Sequence, residues 1–264
     1  MDENSELIGE KLSRYVRSMP SLPITALKTI ALSNDPRANP AEIRQLVSLD
    51  PVLVGKLLRF INSAYFGLPR SITSVAQAII MLGLNTVKNL AILTPFPTQG
   101  LVGGLDMEQF WLHSFCVGAA SKIIARRRML PAHSLEEYFI AGLFHDIGKV
   151  ALHAVFGETG VPGMDHCRAG SVIIREWKLE GSALGDAVTY HHTYPGYTGP
   201  HADVLFNTVA ANRCAAFMGI ECEPYPGTVD PLVWERLKVQ ENLFDEIKSE
   251  IDAEIMKAES FLRV

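Results

Sequence analysis

Residues 141–149 read Ala-Gly-Leu-Phe-His-Asp-Ile-Gly-Lys, an apolar helical stretch that carries His145 and Asp146 side by side. A carboxylate buried there without a partner costs several kcal/mol, so something must satisfy it. Imidazole and carboxylate together suit a divalent transition metal that acts on phosphate oxygens. The simpler alternative is a hydrogen-bonded His145 and an Asp146 paired with a cation such as Lys149. An isolated His-Asp dipeptide favours that alternative, and the positions of the other histidines shift the balance.

Five of the eight histidines fall where inward-facing helical positions are expected: His113, His145, His166, His191 and His192. His113 lies in the small-residue-rich run Phe-Trp-Leu-His-Ser-Phe-Cys-Val-Gly-Ala-Ala (110–120). His166 follows Asp165 at the start of an amphipathic run, and His191-His192 closes the run 183–190 just before Pro195-Gly196. Each alone reads as a hydrogen-bonded core residue. Four separate helices that each offer a histidine, together with Asp146, read as ligands converging on a metal from facing helices of a bundle.

The rest of the chain reads as helical almost throughout, which makes the fold class all-α. Apolar residues recur at three-to-four spacing in 7–16, 25–31, 40–49, 51–64, 74–82 and 86–93, and again in 107–127, 135–154, 165–177, 182–191 and 204–218. Asn39-Pro40 and Asp50-Pro51 supply caps followed by proline at the first helical position, and Asp50 is assigned to capping, worth about 1 kcal/mol. No pair of strands is expected. Two prolines and three glycines in 94–104 cannot continue a helix, so this segment is taken as a linker between an amino-terminal lobe, 1–93, and a second lobe, 105–264. In the tail, Leu243, Ile247, Ile251 and Ile255 form an apolar stripe expected to pack back onto one lobe. Asn62, polar within an apolar run, is read as bonding local backbone at a helix junction.

Composition narrows the class of protein. A formal charge of −5 and a pI near 5.9 give no basic face for nucleic acid. The one basic run, Arg126-Arg127-Arg128, ends a helix, where cations suit the negative end of the dipole. No apolar run approaches the roughly 20 residues of a membrane span, and the acidic start Met-Asp-Glu-Asn-Ser-Glu is unlike a secretory signal. Cys116, Cys167, Cys214 and Cys222 lack Cys-x-x-Cys spacing, which argues against a zinc knuckle and for reduced thiols in the cytoplasm.

The set His113, Gly142-Leu-Phe-His-Asp-Ile-Gly-Lys149, Asp165-His166 with Gly170 and Trp177, and His191-His192 resembles the HD superfamily of metal-dependent phosphohydrolases. Upstream, Leu22-Pro23, Asp50-Pro-Val-Leu-Val-Gly-Lys-Leu-Leu-Arg-Phe-Ile-Asn62-Ser-Ala-Tyr-Phe and Ser71-Ile-Thr-Ser-Val-Ala-Gln-Ala-Ile-Ile-Met-Leu-Gly-Leu84 resemble the HDOD domain, the HD-related output domain of bacterial signalling proteins. The resemblance runs from about Leu22 to about Ile220. It implies a two-lobed helical bundle whose carboxy-terminal lobe is HD-like. It also implies one or two divalent transition metals (Fe, Mn, Zn or Ni), held by His113, His145, Asp146, His166, His191, His192 and Asn212, with His145, Asp146 and Lys149 as the catalytic groups.

Two departures weigh against an intact catalytic site. Asn212 stands where the superfamily's later aspartate is expected, and an amide oxygen brings no charge and binds transition metals weakly. The Gly-Tyr-Pro signature of the cyclic dinucleotide phosphodiesterases is absent, because His191-His192 runs on as Thr-Tyr-Pro-Gly-Tyr. The resemblance therefore implies first a regulatory output that works through a signalling protein partner, with a degenerate or structural metal site. The alternative is a metal-dependent phosphohydrolase acting on a nucleotide or cyclic dinucleotide. For a partner surface the amino-terminal lobe offers Tyr65, Phe66 and Arg70, since aromatic and Arg side chains are enriched among binding hot spots.

Overall fold

The structure, a computed structural model, describes residues 3–18, 45, 47–48, 51–62, 71–81, 96–97, 99–132, 134–221, 230–240 and 242–262. The expected helices 25–31 and 86–93, together with Asp50, Tyr65, Phe66, Arg70 and Cys222, lie outside them. The chain divides into two compact units, Met1–Arg17 with Gln99–Ile255, and Ser18–Thr98 with Met256–Val264.

In the second of these, helix α2 (Pro51–Ile61) buries Leu53, Leu57 and Ile61 at helical spacing. Asn62 ends it as expected. Its amide donates to the carbonyls of Leu58 and Ile72 at 2.8 and 2.7 Å, and its oxygen accepts from the Ile72 amide at 2.6 Å. One side chain thus closes the helix end and holds the Ile72 backbone, just before the helical residues 75–81.

The larger unit begins with α1 (Glu3–Ser18), which buries Ile8, Leu12 and Val16, and whose Arg17 meets Glu176 at 2.9 Å. It resumes with an antiparallel ribbon, β1 (Leu101–Val102) paired with β2 (Leu105–Asp106). This corrects the expectation of no strands. The Gly103-Gly104 pair takes φ of +55° and +90°, the left-handed backbone that a two-residue hairpin turn needs, so glycines read as breakers build a turn.

Asp106 then caps α3 (Met107–Arg127) by accepting from the Glu108 and Gln109 amides at 3.0 and 3.2 Å. Helix α3 is buried on most sides and packs against α4 (Leu135–Phe144) and α8 (Ala202–Phe217). The expected single helix 135–154 is in fact two, α4 and α5 (Ile147–Phe156), with His145 and Asp146 at the break. Among the described residues, 135–156 is long and apolar enough by composition to cross a membrane, yet 72% of its apolar window is buried inside the protein.

Helices α6 (His166–Glu176) and α7 (Ala183–Tyr190) follow, each started by a side chain that accepts a backbone N–H, Asp165 from Arg168 and Ser182 from Gly185. After α8 come α9 (Pro231–Leu237) and α10 (Leu243–Leu262). The stripe Leu243, Ile247, Ile251 and Ile255 is buried in one core with α3, α8 and α9, as its spacing predicts. Arg126 and Arg127 at the end of α3 both reach Glu250 of α10. Arg128 bonds Asp203 at 2.6 and 3.1 Å, and Tyr138 donates to the same carboxylate at 2.5 Å. The basic run is thereby committed to holding helices together.

Candidate metal centre

The break between α4 and α5 turns both His145 and Asp146 into the interior, where they are 0% and 2% exposed. Close approach of the neighbouring helices surrounds them. A Cβ on Gly148 would stand 1.9 Å from the His166 carbonyl oxygen and 2.6 Å from the Gly170 amide, so only glycine lets α5 lie this near α6. Gly142 plays the same part where α4 meets α3, since its Cβ would be 2.8 Å from the Val117 oxygen. The glycines of the 141–149 motif therefore set the distances between the helices that carry His113, His145 and His166. Trp111, Phe144 and Trp177 stack edge to face beside them, the Phe144 ring 6.1 Å from Trp111 and 6.2 Å from Trp177.

Four imidazoles converge on the one carboxylate. His113 Nε2 and His145 Nε2 lie 3.6 and 3.4 Å from Asp146 Oδ2, while His166 Nε2 and His191 Nε2 both lie 3.3 Å from Oδ1. Lys149 Nζ is 2.8 Å from Oδ2, the pairing expected from the motif. Each carboxylate oxygen thus faces its own pair of histidines.

The far nitrogens fix the chemistry of the near ones. His113 Nδ1 bonds the Ile220 carbonyl at 2.8 Å, His145 Nδ1 the Gly142 carbonyl at 2.8 Å, and His191 Nδ1 the Ala187 carbonyl at 2.9 Å. A carbonyl only accepts, so each Nδ1 carries a proton, and each ring in its neutral form turns an Nε2 lone pair towards Asp146. Lone pairs and a carboxylate facing one another repel unless a cation lies between them. His145 Nε2 and Asp146 Oδ1 are accordingly buried with no hydrogen-bond partner. This donor set fits a divalent transition metal.

The protonation equilibria express the same demand. Burial pushes His145 well below its ordinary value and lowers His113 also. Burial alone would raise Asp146, yet the neighbouring charges of His145 and Lys149 hold it well below the usual carboxylate range. Burial opposes a charge on His191 too, but the close approach of Asp146 and Cys167 raises it to about 10. A proton on His191 and a bound cation are alternative answers to one buried negative charge.

The ligand residues expected from the sequence come together unequally. His113, His145 and Asp146 form one group with ligand atoms within 4.8 Å of one another, and His166, Cys167, His191 and His192 form a second. His192 is the exposed member, and burial with the charges of His191 and His166 lowers it to about 4. Asn212 is buried on α8 but enters none of the hydrogen bonds or ion pairs that knit the cluster. The sequence pattern does not mark Cys167 as a ligand, and the structure brings its Sγ to 3.7 and 3.8 Å from the two His191 ring nitrogens. Burial would raise this thiol, but His166 and His191 bring it down to about 7. The signal for it was its place beside His166 in the first turn of α6. His153 and His201 bond the Gly103 and Gly181 carbonyls, outside the cluster.

Residues 19–161 match the HDOD domain model. The chain belongs to the HDOD domain family. The HD domain model matches residues 110–217, which span every histidine of the cluster. Three similar solved structures share this fold. An HDOD domain protein of unknown function from Geobacter sulfurreducens superposes with a TM-score of 0.74 at 21% identity, over 95% of this chain and 97% of that one. A Marinobacter aquaeolei VT8 protein, named as a candidate signal transduction protein, gives 0.76 at 19% identity over 98% of this chain and 66% of that one. A Shewanella amazonensis SB2B protein, named as a candidate phosphohydrolase, gives 0.68 at 20% identity over 96% and 98%. An uncharacterized protein of Treponema pallidum (strain Nichols) is 23% identical over 83% of this chain, and the chain spans only 46% of that relative's length.

Proposed function

We propose that this HDOD chain is a signal-transduction output module that works through a protein partner. In this reading its imidazole–carboxylate cluster holds one or two divalent transition-metal ions, Fe, Mn, Zn or Ni, in a mainly structural role. The observation that carries the metal is the set of three Nδ1–H groups pinned on backbone carbonyls, which turns three Nε2 lone pairs onto Asp146. His113, His145, Asp146, His166 and His191 are the ligands, and the ion ties α3, α4, α5, α6 and the end of α7 together. Lys149 neutralises one oxygen of Asp146, which leaves less charge for a metal, and Asn212 adds none. Those two residues, with burial of His145, Asp146 and His191 to 2% exposure or less, favour holding a metal over turning substrate over. Tyr65, Phe66 and Arg70 are the partner contacts proposed from the sequence.

Metal removal tests the reading. Where free metal stands at a hundred times its Kd, binding adds about 2.7 kcal/mol, which for a chain of this size is about 5–10 °C in melting temperature. Chelator should remove that increment and stoichiometric metal restore it. No uptake and no shift would refute the metal reading. Phosphoester turnover on the order of 1 per second, abolished by His145→Ala, would refute the non-catalytic one.

A second reading, a phosphohydrolase acting on a nucleotide or cyclic dinucleotide, is favoured by one specific feature. The two oxygens of Asp146 face separate histidine pairs, the arrangement in which one carboxylate serves two ions. Such ions activate water and clamp phosphoryl oxygens, and His145, Asp146 and Lys149 would be the groups nearest the reaction.

A further inference from the structure

The atoms on the Oδ1 side of Asp146 have the spacing of a coordination polyhedron. Asp146 Oδ1, His166 Nε2 and His191 Nε2 form a triangle whose three sides are all 3.3 Å. Cys167 Sγ stands 3.7 Å from His191 Nε2. A tetrahedral zinc ion with bonds of about 2.0–2.1 Å to nitrogen or oxygen and about 2.3 Å to sulfur has ligand-to-ligand edges of about 3.3 and about 3.6 Å. The three nitrogen and oxygen atoms therefore outline one face of such a tetrahedron, and the sulfur lies beside it, within 4.8 Å of the His166 and His191 ligand atoms. The Ala187 carbonyl holds a His191 proton on Nδ1, which aims the Nε2 side of the ring into this triangle, and Asp146 Oδ1 is buried in it.

We propose that Cys167 is a metal ligand, and that Asp146 Oδ1, His166 Nε2, Cys167 Sγ and His191 Nε2 form a closed zinc site. The proposal deepens the metal reading above and rests on it. The thiol gives up its proton to solvent as the metal binds. A thiolate among the donors selects a soft or borderline ion, zinc before manganese or magnesium. Four protein ligands leave no position for a reacting water, so an ion here is structural. His113 and His145, on the Oδ2 side, offer no sulfur, and any second ion there has a different donor set.

Cobalt(II) and zinc alone are sufficient probes, with the full chain. Titration of the wild type with cobalt should produce a thiolate-to-cobalt charge-transfer band that zinc bleaches. Cys167→Ser should lose the band and His192→Ala should keep it. X-ray absorption at the zinc edge of the wild type, which needs no variant to fold, should show one sulfur at about 2.3 Å. Metal uptake without the band and without a sulfur neighbour overturns this proposal and leaves the metal reading standing. No uptake by the wild type overturns both. A band that survives Cys167→Ser places the sulfur elsewhere and refutes the assignment.

Discussion

Gly148→Ala is the perturbation that most sharply separates a built metal centre from a chance gathering of histidines. The added Cβ would meet the His166 carbonyl oxygen at 1.9 Å and the Gly170 amide at 2.6 Å, both backbone atoms that no rotamer change can move. Cβ contacts under 3.0 Å are essentially never found, so α5 and α6 must part by about 1.1 Å at the oxygen. Metal ligands tolerate about 0.2 Å. The variant should therefore lose metal affinity beyond measurement by calorimetric titration. Overpacking of this kind costs about 1–3 kcal/mol, which denaturant unfolding in excess chelator will show separately from the metal effect. Wild-type metal affinity in Gly148→Ala would mean that the α5–α6 spacing does not set the site, and the reasoning would fail there.

Other outcomes follow from contacts away from the metal. Burial alone would raise the Asp203 carboxyl, but hydrogen bonds from Arg128 and Tyr138 hold it below its ordinary value. Its stabilisation is thus present above the unfolded value of about 3.9 and is lost as pH falls through the folded one. Asp203→Asn should cost about 1–2 kcal/mol at neutral pH, a gap that shrinks below about pH 4 in urea titrations; a gap that widens in acid would reverse the assignment. Ile251→Ala, at a fully buried position of α10, should cost about 2–5 kcal/mol, and a cost under 1 kcal/mol would detach α10 from the core. Asn62→Ala removes three backbone hydrogen bonds and should cost about 1 kcal/mol by chemical denaturation. No loss there would mean that the junction closes without its side chain.

Much of this architecture was legible from local chemistry. Pro51 announced the start of α2, Asn62 its end, and the four-residue stripe from Leu243 to Ile255 the buried face of α10. The break at His145-Asp146 was hidden because apolar residues continue through Phe144 and Ile147 on both sides of it, so helical periodicity never lapses. The hairpin 101–106 was hidden because its strands are two residues long, too short for alternation to register. Within the site, the histidines were legible from separate helices each presenting one, and Lys149 from its place three residues after Asp146. Cys167 was not, because neighbouring positions on a helix point about 100° apart, so a histidine taken as facing inward does not by itself bring the next residue to the same site. His191, at the end of α7, reaches both. Asn212 came from its place in the family pattern, and a position in sequence carries no information on which atoms it will meet.

The central claim is that the cluster around Asp146 holds a divalent metal, and anomalous diffraction at the absorption edges of Fe, Mn, Zn and Ni tests it most directly. Crystals of chain purified without chelator should show a peak bonded to Asp146 and to at least two of the Nε2 atoms of His113, His145, His166 and His191, at about 2.0–2.2 Å. That peak should vanish in Asp146→Asn. An empty site after soaking in each metal, with His191 protonated and hydrogen-bonded to Asp146, would contradict the account.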